Sequence, residues 1–276
     1  MVDILLQDPM EKLTVRLGAA GGAEIEFLPK IDLPYPDPYT FRLERSRQAS
    51  GPWENLGSVG STWAVIDPNR YNWDVLAEGW YRVVLIDGEA SEYPSRAVQA
   101  GNQWDRRDFI VAREICRRAY QSVRFSFSAV EGWLFRAKDW GTLCTNCGNE
   151  ITNKASNSQC PICYGTGLVG RYHDAYPLAM MIPRDRTERR NSEPMGQDML
   201  VSGPVRAIAF PRVRPKDLWA AAPSGIRYAI QNTIETVQQV RGIPLLLSFP
   251  LHRLETTDVS YGLRTPDDIT DSGSSL

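Results

Sequence analysis

The sequence lacks the features that mark membrane, secreted and strongly charged proteins. No stretch approaches the roughly 18 consecutive apolar residues that a membrane-spanning helix needs. The N-terminal run MVDILLQDPMEKL has Asp3 inside its short apolar part and no signal-peptide pattern. The chain also has no large excess of charge of one sign, because it contains 31 basic and 33 acidic residues. We therefore expect neither membrane contact nor secretion, and no capture of nucleic acid by bulk charge.

Signatures of catalysis are also scarce. The two histidines, His173 and His252, are far apart in sequence, and no Walker loop, GxGxxG, HExxH or GxSxG motif occurs. The adjacent carboxylates Asp267 and Asp268 lie in the polar segment 266–276, for which we expect a flexible tail. We predict that the protein is not an enzyme and that it has no catalytic residues.

What is present fits a folded, mainly β protein with some α structure. The chain has 276 residues, of which 42% are hydrophobic and 23% charged, which is ordinary globular usage. At about 150 residues per domain, this length predicts roughly two domains.

Residues 11–100 contain short alternating segments separated by glycine, proline, asparagine and aspartate. These segments are LTVRL, AEIEFLP, YTFRLERS, STWAVID, GWYRVVLID and SRAVQA. Such a period of two, with frequent turn signals, predicts a small antiparallel sandwich. The alternation places Phe41 and Leu43 on the core face and Glu44 on the opposite face. The proline-rich run 33–38 is predicted to be an edge or a connection.

Three of these stretches, FRLERS, GPWENLG and EGWYRVVLID, give the segment its resemblance to a fibronectin type III or related immunoglobulin-like domain. The resemblance covers about 90 residues and implies such a sandwich over residues 1–100. This part of the chain has no cysteine, so the immunoglobulin-type disulfide is missing. An adhesive or decorating module and a plain spacer both fit these residues.

Beyond Asp105 the apolar period changes to three and four residues, which predicts an amphipathic helix within a helical connector over 101–140. The stripe consists of Phe109, Ala112, Cys116, Ala119, Tyr120, Val123 and Phe127. Asp105 is the expected N-cap, and Cys116, on the stripe, is expected to be a buried structural thiol. The arginines on the other positions either solvate the outer face or contact a neighbouring subunit or DNA.

The strongest chemical signal is Cys144-Thr-Asn-Cys147, followed after 12 residues by Cys160-Pro-Ile-Cys163. Two such knuckles let four thiolates converge on one zinc ion, so we predict a zinc ribbon over 141–175 with these four cysteines as ligands. Four cysteines close the coordination shell, which makes the zinc structural rather than catalytic. His173 is not expected to be a ligand.

For the segment 176–265, the sequence pattern predicts a second β-rich, barrel-like unit, which we expect to be an assembly domain. Alternation marks antiparallel strands at Ile226, Tyr228 and Ile230, in the LLLSF run, and at Val259 and Tyr261. The basic segment 184–190 is interrupted by acids, which favours a solvated loop over a phosphate site.

Two blocks, CPICYGTGLVGRY and IRYAIQNTIETVQQVRGIPLLLSFPLHRLETTDVSYGL, resemble virion proteins from the head-to-tail neck of tailed bacteriophages. The pattern that carries the resemblance is Arg227-Tyr228, then Arg241-Gly242-Ile243-Pro244, then Asp258-Val259-Ser260-Tyr261. It covers about residues 105–265, with the fibronectin-like part as an outer addition.

The resemblance implies a connector or head-closure protein that is assembled in the host cytoplasm and forms a ring in the virion neck. Its partners would be copies of itself, the portal or adaptor, and tail proteins, with possible contact to packaged DNA. Tryptophans are candidate interface residues: Trp53, Trp63, Trp73, Trp80, Trp133, Trp140 and Trp219. A tail or baseplate protein, and a soluble zinc-ribbon protein that binds nucleic acid or protein, stay open as alternatives.

Overall fold

Antiparallel pairing organises nearly all of the computed structural model. The structure describes residues 8–18, 22–30, 38–59, 62–66, 79–100, 106–149, 154–157, 159–183, 204–222, 224–231, 233–240 and 243–266. Contacts divide the chain into two compact units, Met1–Arg113 and Glu114–Leu276. The mainly β prediction is confirmed. The finer boundaries at residues 100, 140, 175 and 265 stay predictions.

Within its described residues, the first unit contains two antiparallel sheets. Its strands are β1 (Met10–Leu17), β2 (Ala23–Pro29), β3 (Thr40–Ser46), β4 (Glu54–Val59), β5 (Trp63–Ile66), β6 (Trp80–Ile86), β7 (Glu92–Pro94) and β8 (Val98–Gln99). One sheet has the order β1-β2-β5 and the other the order β4-β3-β6-β7, with β8 also paired to β6. The rings of Phe27 and Phe41, one from each sheet, lie edge to face with centroids 4.9 Å apart. The fibronectin type III assignment stays a prediction.

Side chains in β3 follow the predicted alternation, but Glu44 on the opposite face is also buried. Phe41 and Leu43 are buried, as predicted. Glu44 is on the other face but is buried as well, because two arginines cover it. Arg42 Nε donates to Glu44 Oε1 at 2.9 Å, and Arg82 Nε donates to Glu44 Oε2 at 2.7 Å. The outer face of this sheet therefore carries an ion-pair layer that alternation alone does not reveal.

Helix α1 (Arg106–Arg124) follows the first unit's strands and continues into the second unit. Phe109, Ala112, Cys116 and Val123 are buried, which confirms that part of the stripe. Phe127 was expected on the same stripe but is 95% exposed, because the helix ends at Arg124. Asp105, the expected N-cap, lies outside the described residues. Among the residues that the structure describes, no helix is both long and apolar enough to cross a bilayer.

The described part of the second unit contains two five-stranded sheets and a small hairpin. Its strands are β9 (Ala129–Val130), β10 (Gly132–Phe135), β11 (Gly148–Asn149), β12 (Lys154–Ala155), β13 (Tyr176–Pro177), β14 (Met180–Met181), β15 (Val205–Ile208), β16 (Leu218–Ala221), β17 (Arg227–Ile230), β18 (Glu235–Val240), β19 (Ile243–Phe249) and β20 (Leu251–Arg253). The sheet orders are β13-β10-β16-β17-β20 and β18-β19-β15-β14-β9. Leu134, Met180, Trp219 and Phe249 belong to the apolar core that the two sheets share.

The strand expected at Val259 and Tyr261 is a 3₁₀ helix instead, Val259–Gly262. The carboxylate of Asp258 accepts a hydrogen bond from the backbone N–H of Ser260 at 2.8 Å, which caps the first turn. This local bond fixes a helical turn where side-chain alternation suggested an extended chain.

The predicted interface tryptophans are buried or half-buried wherever the structure describes them. Trp63 donates its indole N–H to Glu24 Oε1 at 2.8 Å, and Trp219 donates to the Leu178 carbonyl at 2.9 Å. Both are intramolecular core residues. Trp73, the run 33–38 and the basic segment 184–190 lie outside the described residues.

Close packing at Gly132 gives a test of the second core. A Cβ at this position would lie 2.3 Å from the Ala220 carbonyl oxygen and 2.5 Å from the buried Trp219 ring. We expect Gly132→Ala to lower the free energy of unfolding by about 3 kcal/mol, since neither neighbour can move freely. Denaturant unfolding measures this. Gly262→Ala is the matched control: its Cβ would make ordinary 3.5 Å contact with Tyr164 and should cost under about 1 kcal/mol. An equal effect of the two variants would contradict the packing described here.

Candidate metal centre

The four predicted cysteines come together at the end of one hairpin. Cys144 and Cys147 precede β11, while Cys160 and Cys163 follow β12, so the β11–β12 pair brings the two knuckles face to face. The Gly148 N–H donates to the Cys144 carbonyl at 2.7 Å, which closes the first knuckle. A Cβ on Gly148 would lie 2.6 Å from that same carbonyl oxygen, so this turn requires glycine.

Distances among the four sulfurs suit a metal ion. The Sγ atoms of Cys144 and Cys160 are 3.9 Å apart, those of Cys147 and Cys163 are 3.1 Å apart, and all four lie within 4.8 Å of one another. Four sulfurs at the usual zinc–sulfur bond length of about 2.3 Å form a tetrahedron with edges of about 3.8 Å. All four side chains are buried. The cluster is therefore compatible with a closed tetrathiolate site such as zinc prefers.

Local dipoles favour the thiolate form at one of these positions. The backbone N–H groups of Cys163 and Ile162 donate to the Cys160 sulfur and lower the pKa of this thiol to about 6. The Asn146 side-chain amide donates to the same sulfur at 3.7 Å. The Cys147 thiol, hydrogen-bonded to the Cys163 sulfur, has its pKa raised. Without a cation, the cluster therefore retains protons on some sulfurs while others ionise.

A two-stranded stem, residues 136–144 and 167–173, connects the cysteines to the β10 sheet. Its backbone bonds run from His173 N–H to the Arg136 carbonyl at 2.9 Å up to Cys144 N–H to the Gly167 carbonyl at 2.6 Å. Between these lie bonds from Lys138 to Arg171 at 2.7 Å and from Val169 to Thr142 at 2.8 Å. The cysteine cluster therefore closes the tip of a hairpin whose base is a core strand.

The base of the stem is held by buried polar groups. Asp217 accepts the Ala137 N–H at 3.0 Å and the Arg214 N–H at 2.8 Å. Burial raises the pKa of Asp217 to about 6, although these bonds and Arg136 act in the opposite direction. Arg136, also buried, donates to the Arg212 carbonyl at 2.6 Å. These bonds tie the stem to the loop that precedes β16.

The other titratable candidates lie outside the sulfur cluster. His173 is buried at the stem base, and its pKa is lowered to about 3, first by desolvation and then by Lys138 and other cations. It is not one of the grouped metal-ligating side chains. Cys116 is buried in helix α1, as predicted, and burial raises the pKa of its thiol to about 11. Asp267 and Asp268 lie outside the described residues.

Two exposed aromatic residues were missed or misplaced by the sequence analysis. Phe125 is 78% exposed and Phe127 is 95% exposed, in the turn that follows helix α1. Phe127 continued the spacing of the helical apolar stripe, so no sequence signal distinguished it from a core residue, whereas Phe125 was not assigned. The candidate interface residues predicted from the sequence were tryptophans, whereas the most exposed aromatics among the described residues are these two phenylalanines; Tyr120, also predicted on the stripe, is 36% exposed.

Comparisons with known proteins add no family. No protein-family model matches the chain, and no curated protein matches it. Among solved structures, the chain is similar to one titled "Titin kinase and its flanking domains", with a TM-score of 0.26 and 8% identity. The match covers 89% of this chain and 37% of that one, so this chain spans little more than a third of its length. A TM-score this low carries no argument.

Metal analysis tests the centre. We expect the chain, purified under reducing conditions, to contain one metal ion, and Cys160→Ser to lose it, because three thiolates leave the shell open. The stem should then lose hydrogen-exchange protection, since metal binding of this kind contributes on the order of 10 kcal/mol to local folding. Cys116→Ser and His173→Gln are the controls and should each keep one ion. A wild-type chain with no metal and four freely titrating thiols would contradict the assignment.

The Asp217 carboxyl predicts a pH dependence at the stem base. Its pKa is raised from 3.8 to about 6 in the folded chain, so folding favours its protonated form, and its contribution to stability declines as pH rises between these values. Relative to Asp217→Asn, the wild-type free energy of unfolding should fall by about 2 kcal/mol from pH 4 to pH 6. Urea unfolding of both chains across this range measures the difference. A difference that does not vary with pH would show that folding leaves the pKa of Asp217 unshifted, which would contradict its burial at the stem base.

Proposed function

We propose that this chain is a structural protein of a tailed-phage virion that forms a ring in the neck, joins the portal to the tail and lets DNA pass. In this proposal the four cysteines hold one structural zinc ion. The observation that carries the proposal is the placement of the metal centre: four buried thiolates close the tip of a hairpin. Such a centre leaves no coordination position for a substrate and stabilises architecture.

Residues from the first and last parts of the phage-like pattern are hydrogen-bonded to each other. The backbone N–H of Arg227 donates to the Tyr261 hydroxyl at 3.2 Å, and that hydroxyl donates to the Leu254 carbonyl at 3.3 Å. Arg227 Nη2 donates to the Leu263 carbonyl at 2.7 Å. The first and last parts of the pattern, Arg227 and Tyr261, therefore form one contact network. This is what a structural motif requires, and it supports the resemblance.

The same network reaches the metal hairpin. Asp258, which caps the 3₁₀ helix, accepts a hydrogen bond from Gln159 Nε2 at 3.5 Å, next to Cys160. Tyr164, after Cys163, packs against the same apolar cluster as Leu254 and Leu263 of the second block. The two blocks that carry the resemblance thus contact each other beside the cysteines, so loss of the metal would disturb both.

A direct test is to image the particles produced by the source phage. We expect density for this chain as a ring at the junction of portal and tail, with mass spectrometry of purified particles confirming its identity. Density in the tail or baseplate instead would show that the chain is a tail or baseplate protein and not a neck protein. Absence of the chain from particles, together with a monomer that binds DNA with strongly salt-dependent affinity, would favour the soluble zinc-ribbon alternative.

A further inference from the structure

A fixed turn presents two apolar rings to solvent. We name residues 125–128 the phenylalanine turn. Its backbone is held by the Phe125 N–H, which donates to the Gln121 carbonyl, and by the Ala129 N–H, which donates to the Ser126 carbonyl, both at 2.9 Å. The Ser126 and Ser128 hydroxyls are 2.9 Å apart and hydrogen-bonded to each other. An ordered turn that exposes two phenyl rings is typical of a binding surface rather than of a solvated loop.

A groove in the same unit has the size and lining to receive such rings. It has a volume of about 410 Å³ and lies between helix α1 and the β18-β19-β15-β14-β9 sheet. Ile115, Ala119 and Val123 line its helix side, and Met181 and Leu246 line its sheet side. An apolar cavity of about 150 Å³ holds one benzene molecule, so this groove has room for two phenyl rings.

The charges of turn and groove are complementary. Arg118 and Arg206 line the groove, which has no acidic residue. Arg118 already pairs with Glu114 at 2.8 Å, whereas the Arg206 side chain makes no ion pair or hydrogen bond within the described part of the chain. Beyond the turn, Glu131 has a side chain that is 66% exposed and only a 3.3 Å contact with Arg124. Among the described residues no acid pairs with the Arg206 side chain, and Glu131, close to the rings in sequence, can supply one.

We propose that the phenylalanine turn of one copy inserts into the groove of a second copy, with Glu131 of the first opposite Arg206 of the second. The turn leads directly into β9, one edge strand of the sheet, while the groove extends to Gln238 on β18, the opposite edge. Five strands place these edges about 19 Å apart.

This arrangement has a consequence for symmetry. The turn and the groove are different surfaces of each copy, so the contact between copies is heterologous, or head-to-tail. Such contacts generate a closed ring or a filament rather than an isolated dimer. The inference rests on the proposed ring function, to which it adds the interface.

The first experiment measures self-association by sedimentation over a concentration series. Phe127→Ser removes a ring that is almost fully exposed, so folding and metal content should be unchanged. Loss of an aromatic anchor should raise the dissociation constant about 30-fold or more. Arg206→Glu should also weaken association. The double variant Arg206→Glu/Glu131→Arg, which exchanges the two charges, should associate again. Val169→Ser, which removes an exposed apolar side chain from the stem, is the control and should associate like wild type.

A mixing experiment then tests the head-to-tail geometry. Phe127→Ser keeps an intact groove and Arg206→Glu keeps an intact turn, so the two weakly associating variants should form a one-to-one complex when mixed. Wild-type association in both single variants, or no complex on mixing, would overturn this interface while leaving the ring proposal intact. A wild-type chain that stays monomeric at its highest soluble concentration would overturn the interface as well. The ring proposal itself would fail only if the particles contained no ring.

Discussion

Convergence of four cysteine sulfurs is the constraint on which the second unit depends. Side chains this close and this buried repel one another once they ionise, unless a cation neutralises them. The knuckles have few apolar neighbours of their own: within the described part of the chain, Ala155 is the partly buried apolar residue packed against the cysteine cluster. A metal ion bound by these four sulfurs would replace the hydrophobic core that this short hairpin cannot build.

Backbone hydrogen bonds along the stem connect this tip to the sheets. The paired backbone from Cys144–Gly167 down to Arg136–His173 ends at β10, and β10 pairs with β16, which carries the buried Trp219. The polar groups at the stem base, Arg136 and Asp217, are bonded mainly to backbone atoms. Buried charges satisfied in this way fix the path of a loop more than they add stability.

The sequence predicted most where local chemistry decides the structure. Ligand spacing identifies the cysteine knuckles, because two short turns must place sulfurs on one ion, and alternation identifies strands such as β3 and β6. Prediction failed where a hydroxyl or carboxylate bonds to nearby backbone. The Ser126 hydroxyl accepts the Ser128 N–H at 3.2 Å beyond the end of the helix, beside Phe127, and Asp258 caps Val259–Gly262 as a 3₁₀ helix. The stem and the Glu44 ion pairs depend on long-range pairing, which no local pattern encodes.

X-ray absorption at the zinc edge of the purified, reduced chain tests the central claim most directly. A closed tetrathiolate centre predicts four sulfur neighbours at about 2.3 Å and no nitrogen or oxygen ligand. That result would support a metal whose role is to hold the stem. A spectrum with nitrogen or oxygen in the shell would point to an open or different site, and the absence of bound zinc would remove the ion from this account; either outcome would contradict it.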